Sequence, residues 1–183
     1  LIEYYKGIFT TLSSCASRQL EEVTFRRATI SVPELMATAG KYFRKVYKGN
    51  KAHIDFKIQP LEGRITGDWN QLRFLLENLI DEACSVTLDG AVCLSAREDG
   101  EFIRFLFTDM RREKTREELN QLFYPDLSRM TAGEKGELYG TEYLVCKQII
   151  RDHDEFAGRR GCRINAEPGK EGGFTIYFTL PKK

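Results

Sequence analysis

Two alternating runs, residues 91–97 and 102–108, are separated by the turn Asp99-Gly100. Alternation of apolar and polar residues is the period of a half-buried strand, and Asp-Gly between two such runs is a strong hairpin signal. An antiparallel pair is therefore expected in the middle of the chain. A second pair closes it, near 162–167 and 173–180, joined by Pro168-Gly169-Lys170-Glu171-Gly172-Gly173. Ala52, Ile54, Phe56 and Ile58 also alternate with polar residues, which gives one more half-buried strand. Gly63 and Gly67 mark turns after it.

Helices separate these strands. Ser31-Val32-Pro33-Glu34 reads as a capping box with Pro in the first turn. The helix it opens has Leu35, Met36, Ala39, Phe43 and Val46 as its apolar face and closes at Gly49. Asp68 and Gln71 repeat the capping logic before Leu72, Leu75, Leu76, Leu79, Ile80 and Ala83. Thr115 to Glu118 caps a short helix carrying Leu119, Leu122 and Phe123, residues 126–141 read as a loop, and a helix is expected from 141 to 152. At the start, Leu1, Tyr5, Ile8, Leu12 and Cys15 recur at alternating steps of four and three, a coiled-coil seam. Two readings of that seam stay open: an amphipathic helix packed on its own domain, or the end of a dimerisation helix. The order of elements implies a two-layer α/β sandwich with a mixed, largely antiparallel sheet and helices on one face.

The 183 residues suit one folded domain. Lys and Arg total 28 against 27 Asp and Glu. A balance that close argues against a general nucleic-acid binder but leaves room for a local basic patch. No apolar run approaches the ~20 residues of a membrane span, so no membrane contact by this segment is expected. The five cysteines, Cys15, Cys84, Cys93, Cys146 and Cys162, are scattered and never form a C-x-x-C pair. Free thiols in a reducing compartment, the cytoplasm, are expected. With only His53 and His153 to join them, a zinc site is not expected. The chain does not begin with Met, and a segment of a longer protein is expected.

From about residue 29 to 181 the sequence resembles the ATP-binding catalytic domain of bacterial sensor histidine kinases, the Bergerat or GHKL fold. Thr29 to Lys48 resembles the helix after the dimerisation hairpin. Gly67 to Leu72 leads into Asn78-Leu79-Ile80-Asp81-Glu82-Ala83, where the family carries its N box. Phe107-Thr108-Asp109 stands where the adenine-binding Asp belongs, and Leu122-Phe123-Tyr124-Pro125 resembles the motif that follows. Gly140 through His153 resembles the second glycine box and its helix. Ala166 to Lys170, Phe174 to Ile176 and Leu180-Pro181 match the last hairpin. The resemblance implies an N-terminal helix over 1–28, ending a dimerisation or linker region, and an ATPase-like domain over 29–183.

The departures fall on the nucleotide site. The family pattern sets two Asn side chains one helical turn apart, the second serving Mg²⁺. Here Asn78 is kept and the second position is Glu82. A carboxylate either replaces that Asn on the metal or repels the triphosphate. After Asp109 the family has D-x-G-x-G, because the backbone must approach the base closely. This chain has Met110, Arg111, Arg112 and Glu113. In the second glycine box, which offers backbone N–H groups to phosphate, Gly140 remains and Glu142 stands for another glycine. No P-loop or G-x-S-x-G elbow occurs elsewhere.

The resemblance implies a domain of a two-component sensor kinase. Asn78, Glu82, Asp109 and Gly140 would be its cofactor-binding residues, with Asn78 and Glu82 on the metal. The departures imply that binding of ATP and Mg²⁺ is weakened or lost, as in a pseudokinase. No catalytic residue is assigned, since no phospho-accepting His precedes residue 29. The implied partners are the chain's own dimerisation domain or a second protomer, and a response regulator. Two alternatives remain: an active autokinase domain with unorthodox ligands, or a protein-interaction module whose cleft is filled by Arg111 and Arg112.

Overall fold

The computed structural model describes residues 24–124, 131–132, 138–139 and 141–183. Its elements in chain order are β1 (Ala28–Ser31), α1 (Val32–Val46), β2 (Ile54–Gln59), β3 (Arg64–Gly67), α2 (Trp69–Cys84), β4 (Gly90–Asp99) and β5 (Phe102–Asp109). Then come α3 (Arg116–Asn120), β6 (Thr131–Ala132), β7 (Leu138–Tyr139), α4 (Glu142–Phe156), β8 (Ile164–Pro168) and β9 (Phe174–Pro181).

Both expected hairpins form. β4 pairs antiparallel with β5 around the Asp99-Gly100 turn, and β8 with β9. β9 also pairs with β5, so the sheet runs β2-β4-β5-β9-β8. Only the β2–β4 ladder is parallel, because β3 and α2 carry the chain back across the sheet between them. The sandwich expected from the order of elements is thus the observed one.

The sheet is apolar on the face that meets the helices. Val92, Leu94, Ile103, Phe105, Phe107, Ile176, Phe178 and Leu180 are buried there. Phe105 lies opposite Phe178 in register, and their rings stack 5.0 Å apart. α2 supplies Leu72, Leu75, Leu76, Leu79, Ile80 and Ala83, the residues its spacing singled out, and all are buried. It lies between α1 and α4 and packs on both.

The caps follow the sequence. The Ser31 hydroxyl accepts from the Glu34 N–H at 3.3 Å, and Asp68 accepts from the Gln71 N–H at 3.1 Å. Thr115 and Glu118 form a complete capping box. Val46, expected on the apolar face of α1, is instead 49% exposed. It is the last helical residue, and the next residue, Tyr47, takes the inward place, its ring stacked on Phe43 at 6.1 Å.

Three features differ from the sequence reading. β1 and β3 form an antiparallel two-stranded ladder, where turns were expected at Gly63 and Gly67 and no strand was expected before the cap at Ser31. It was hidden because Ala28–Ser31 and Arg64–Gly67 are each too short to display a period. β6 and β7 pair within the expected loop. The helix expected over 1–28 lies mostly outside the described residues, but residues 24–27 carry no regular structure and Ala28 begins β1.

His153 ties α4 to the start of α2. It is fully buried; its Nε2 accepts from the Asp68 N–H at 3.0 Å and its Nδ1 donates to the Ile149 carbonyl at 2.8 Å. That pattern defines a neutral imidazole in a structural role, as its position at the end of the helix suggested. Burial drives its pKa down to about 4, against the opposing hydrogen bond to Ile149. The unfolded chain takes up this proton first, so stability falls as pH drops from about 6.5 to about 4, by about 3 kcal/mol. Urea unfolding of wild type against His153→Gln across that window should show the component in wild type alone. Parallel pH profiles would remove the assignment.

Candidate functional site

α2 and β5 converge on one cleft. The four-residue spacing puts Asn78 and Glu82 on the same side of α2, and Asp109 ends β5. Asp109 is 1% exposed. A carboxylate that deeply buried must be paired or protonated.

The pairing comes from the residues that replace glycine. Arg111 folds back on Asp109: its backbone N–H and its Nε donate to Oδ1 at 3.0 and 2.9 Å, and its Nη2 to Oδ2 at 2.8 Å. Arg112 Nε donates to the same Oδ2 at 2.9 Å. Its two terminal nitrogens then grip Glu82 in a fork, Nη1 to Oε1 at 2.9 Å and Nη2 to Oε2 at 2.8 Å. Every oxygen of Asp109 and Glu82 therefore accepts from an arginine.

Arg111 does more than pair a charge. Its side chain is 1% exposed, with the remaining donors on the Ala83, Val86 and Leu88 carbonyls. These lie at and just beyond the end of α2, where carbonyls lack helical partners and the macrodipole is negative. The guanidinium thus caps α2 and fills the space beside Asp109. Its packing is close: a Cβ on Gly90, whose φ is 138°, would meet Arg111 Cγ at 2.8 Å.

The electrostatics follow. Burial pushes Asp109 up, but the hydrogen bonds and charges of Arg111 and Arg112 outweigh it and hold the carboxyl below its ordinary range. Arg112 loses to burial and gains more from Glu82, so its guanidinium is held charged above its ordinary range. Tyr143, in the first turn of α4, is pushed far up by burial and then by the Glu82 charge. Arg112 also lies over the Phe174 ring at 5.2 Å.

The remaining predicted positions are less gathered. Asn78 is half-buried, and its amide donates to the Phe74 carbonyl at 2.7 Å. Gly140 lies outside the described residues. Leu122 and Phe123 of the expected motif pack under α4, where the Phe123 ring meets Tyr143 edge-on at 5.8 Å. Glu113, at the other vacated glycine position, accepts from the Gly173 N–H at 2.8 Å. Arg111 and Arg112 were legible as cleft fillers. Nothing in the spacing shows that Arg112 bridges Glu82 to Asp109, because those residues are brought together only by the sheet. A cavity of about 440 Å³ lies elsewhere, lined by residues including Gln59, Cys93 and Lys170 but by none of Asn78, Glu82 and Asp109.

Residues 67–183 match the profile described as histidine kinase-, DNA gyrase B-, and HSP90-like ATPase. The chain belongs to that family. The adaptive-response sensory kinase SasA of Thermosynechococcus vestitus is 26% identical over 177 residues, covering 95% of this chain and 44% of SasA. The chain thus spans less than half the length of that curated relative. The nucleotide-free catalytic domain of the histidine kinase ThkA superimposes with a TM-score of 0.66 at 19% identity, over 86% of this chain and 96% of that one. Full-length ShkA in complex with AMPPNP gives 0.71 at 16% identity, over 98% and 36%. ThkA in complex with the response regulator protein TrrA gives 0.66 at 18%, over 97% and 49%. At these identities the structures speak for the fold. The chain therefore has the fold of a histidine kinase catalytic domain.

Removing one partner of a buried pair strands the other charge, at a cost of about 3–5 kcal/mol. Arg111→Met and Asp109→Asn should each destabilise by about that much in chemical denaturation. The double variant should lose clearly less than the sum, since the two act as one unit. Additive losses would show that the pair is not coupled.

Proposed function

We propose that this domain signals within a two-component sensor kinase while its nucleotide cleft is closed by its own arginines, so that binding of ATP and Mg²⁺ is weakened or lost. One observation carries the reading: all four carboxylate oxygens of Asp109 and Glu82 are taken by Arg111 and Arg112. A family Asp that accepts an adenine amino group needs a lone pair turned to the cleft, and here an arginine donor meets each oxygen. A metal-ligating Glu82 would have to give up its fork with Arg112. The residues present therefore do not suit Mg-ATP in this geometry.

The same reading gives the domain a mechanical role. The segment leading into β1 is fastened to the helical layer. Phe25 meets the His153 ring edge-on at 4.8 Å and the Phe156 ring at 5.8 Å. The Arg26 N–H donates to Asp68 at 2.9 Å, and Asp68 also caps α2. A displacement upstream would reach α2 and α4 through these contacts. We propose the chain's own dimerisation region or a second protomer as partner, and a response regulator as a docking partner. ThkA, solved with TrrA, supports the latter. The reducing cytoplasm is the proposed location; among the described residues no helix is long and apolar enough to cross a membrane.

Calorimetric titration with ATP, with and without Mg²⁺, tests the closed cleft. No heat at millimolar ATP is the expected result. Micromolar, Mg²⁺-dependent binding that Glu82→Ala abolishes would replace this reading with an active site in which Glu82 serves the metal.

A further inference from the structure

The near-zero net charge hides a strongly basic surface. From Leu35 through Ile54 the chain contains no acidic residue, yet it carries Lys41, Arg44, Lys45, Lys48 and Lys51. These five cations leave the rest of the chain with an excess of four acids. Lys41, Arg44, Lys45 and Lys48 recur at i, i+3, i+4 and i+7, one stripe along α1 and the turn after it. Lys51 follows in the same connection to β2.

All five are exposed. Among the described residues none enters an ion pair, although other surface cations do: Lys182 with Glu98, Arg159 with Glu101 and Arg160 with Asp154. The one acid of α1, Glu34, sits in its first turn at the opposite end. Arg44 and Lys45 complement the negative end of the helix. That accounts for two of the five and leaves Lys41, Lys48 and Lys51 without a structural task.

The composition of the stripe selects the partner. Four of the five are Lys, compact point charges with no fork to match a fixed carboxylate or phosphate pair. Specific protein interfaces are depleted in Lys and centred on aromatic, Met or Arg anchors. The nearby aromatics Tyr42, Phe43 and Tyr47 are instead turned inward: both phenols donate to Asp81 at 2.7 Å, and Phe43 stacks on Phe56 at 5.1 Å. Without exposed rings the stripe also lacks the stacking platform of a single-strand nucleic-acid site. An exposed lysine-rich stripe whose neighbouring rings are engaged inward fits a field that is diffuse and negative.

We propose that the α1 stripe docks this domain on an anionic lipid surface. The contact is electrostatic, with the cations resting on headgroups and no apolar insertion, so it is weak and sensitive to salt. It sits on α1, and the closed cleft is neither needed for it nor altered by it.

Co-sedimentation with vesicles tests this. The chain should pellet with phosphatidylcholine vesicles containing about 30% phosphatidylglycerol at about 0.1 M salt, and be released at about 0.5 M. Pure phosphatidylcholine vesicles should leave it in solution. Each cation near the surface is worth about fivefold in partitioning, so Lys41→Gln/Arg44→Gln/Lys45→Gln/Lys48→Gln should weaken it by nearly three orders of magnitude. Arg159→Gln/Arg160→Gln, elsewhere on the surface, should change little. An unchanged circular dichroism spectrum and melting point would confirm that the stripe variant is folded. Failure of wild type to pellet with anionic vesicles, or equal pelleting by the stripe variant, overturns the proposal. Retention of a DNA oligonucleotide without vesicle binding would also overturn it, in favour of nucleic acid.

Discussion

A carboxylate at the end of a central strand, removed almost wholly from water, sets the arrangement of the whole cleft. Asp109 has to be compensated where it stands, because an unpaired buried charge costs more than most local features of the fold can supply. The compensation comes from the next two arginines in the chain. To reach it, the backbone turns back immediately after β5, with the Arg111 N–H on Asp109 Oδ1. Having turned, Arg111 lies against the carbonyls that α2 leaves open, and Arg112 lies against Glu82. One buried charge thus determines the path of the connection, the end of a helix and the state of a residue twenty-seven positions upstream.

The glycine positions explain why this is a change of function-bearing geometry rather than of fold. Glycine in such a loop leaves room for a ligand to approach the backbone. Arg111 fills that room with a side chain carrying the donors that Asp109 requires. The surrounding scaffold keeps its own close approaches: Gly173, with φ 69°, packs so tightly on the Asp109 carbonyl that any Cβ there would overlap it. The sheet end is held as firmly as a ligand site would need, but an internal group now occupies it.

Much of the fold was legible in the sequence. The Asp99-Gly100 hairpin, the closing hairpin, the caps at Ser31, Asp68 and Thr115 and the buried stripe of α2 all arise from local chemistry that neighbours in the chain can express. The β1–β3 ladder was not legible, since strands of four residues show no period and are stabilised by pairing across the thirty-two positions that separate them. Val46 was misplaced on the core face because both Val46 and Tyr47 follow Phe43 at helical spacing, and it is Tyr47 that turns inward. In the cleft, the two replaced glycines and the Glu82 substitution were visible. The bridge through Arg112 was not, because it joins α2 to the end of β5.

What the sequence determined by itself is the set of interactions between residues close along the chain: helical faces, turns, caps, and the charged residues at glycine positions. It also determined an even charge balance, which is an average. Only the tertiary structure decided which charges meet and which are left alone. It buried Asp109 and brought Arg112 between two carboxylates, while leaving the cations of α1 on the outside with no ion-pair partner among the described residues. Net charge and motif spacing carry no distance information across elements, and Coulomb interactions depend on distance and on exposure to water. The same chain therefore has a neutralised cleft and an uncompensated basic surface, and the packing of one helical layer on one sheet separates the two.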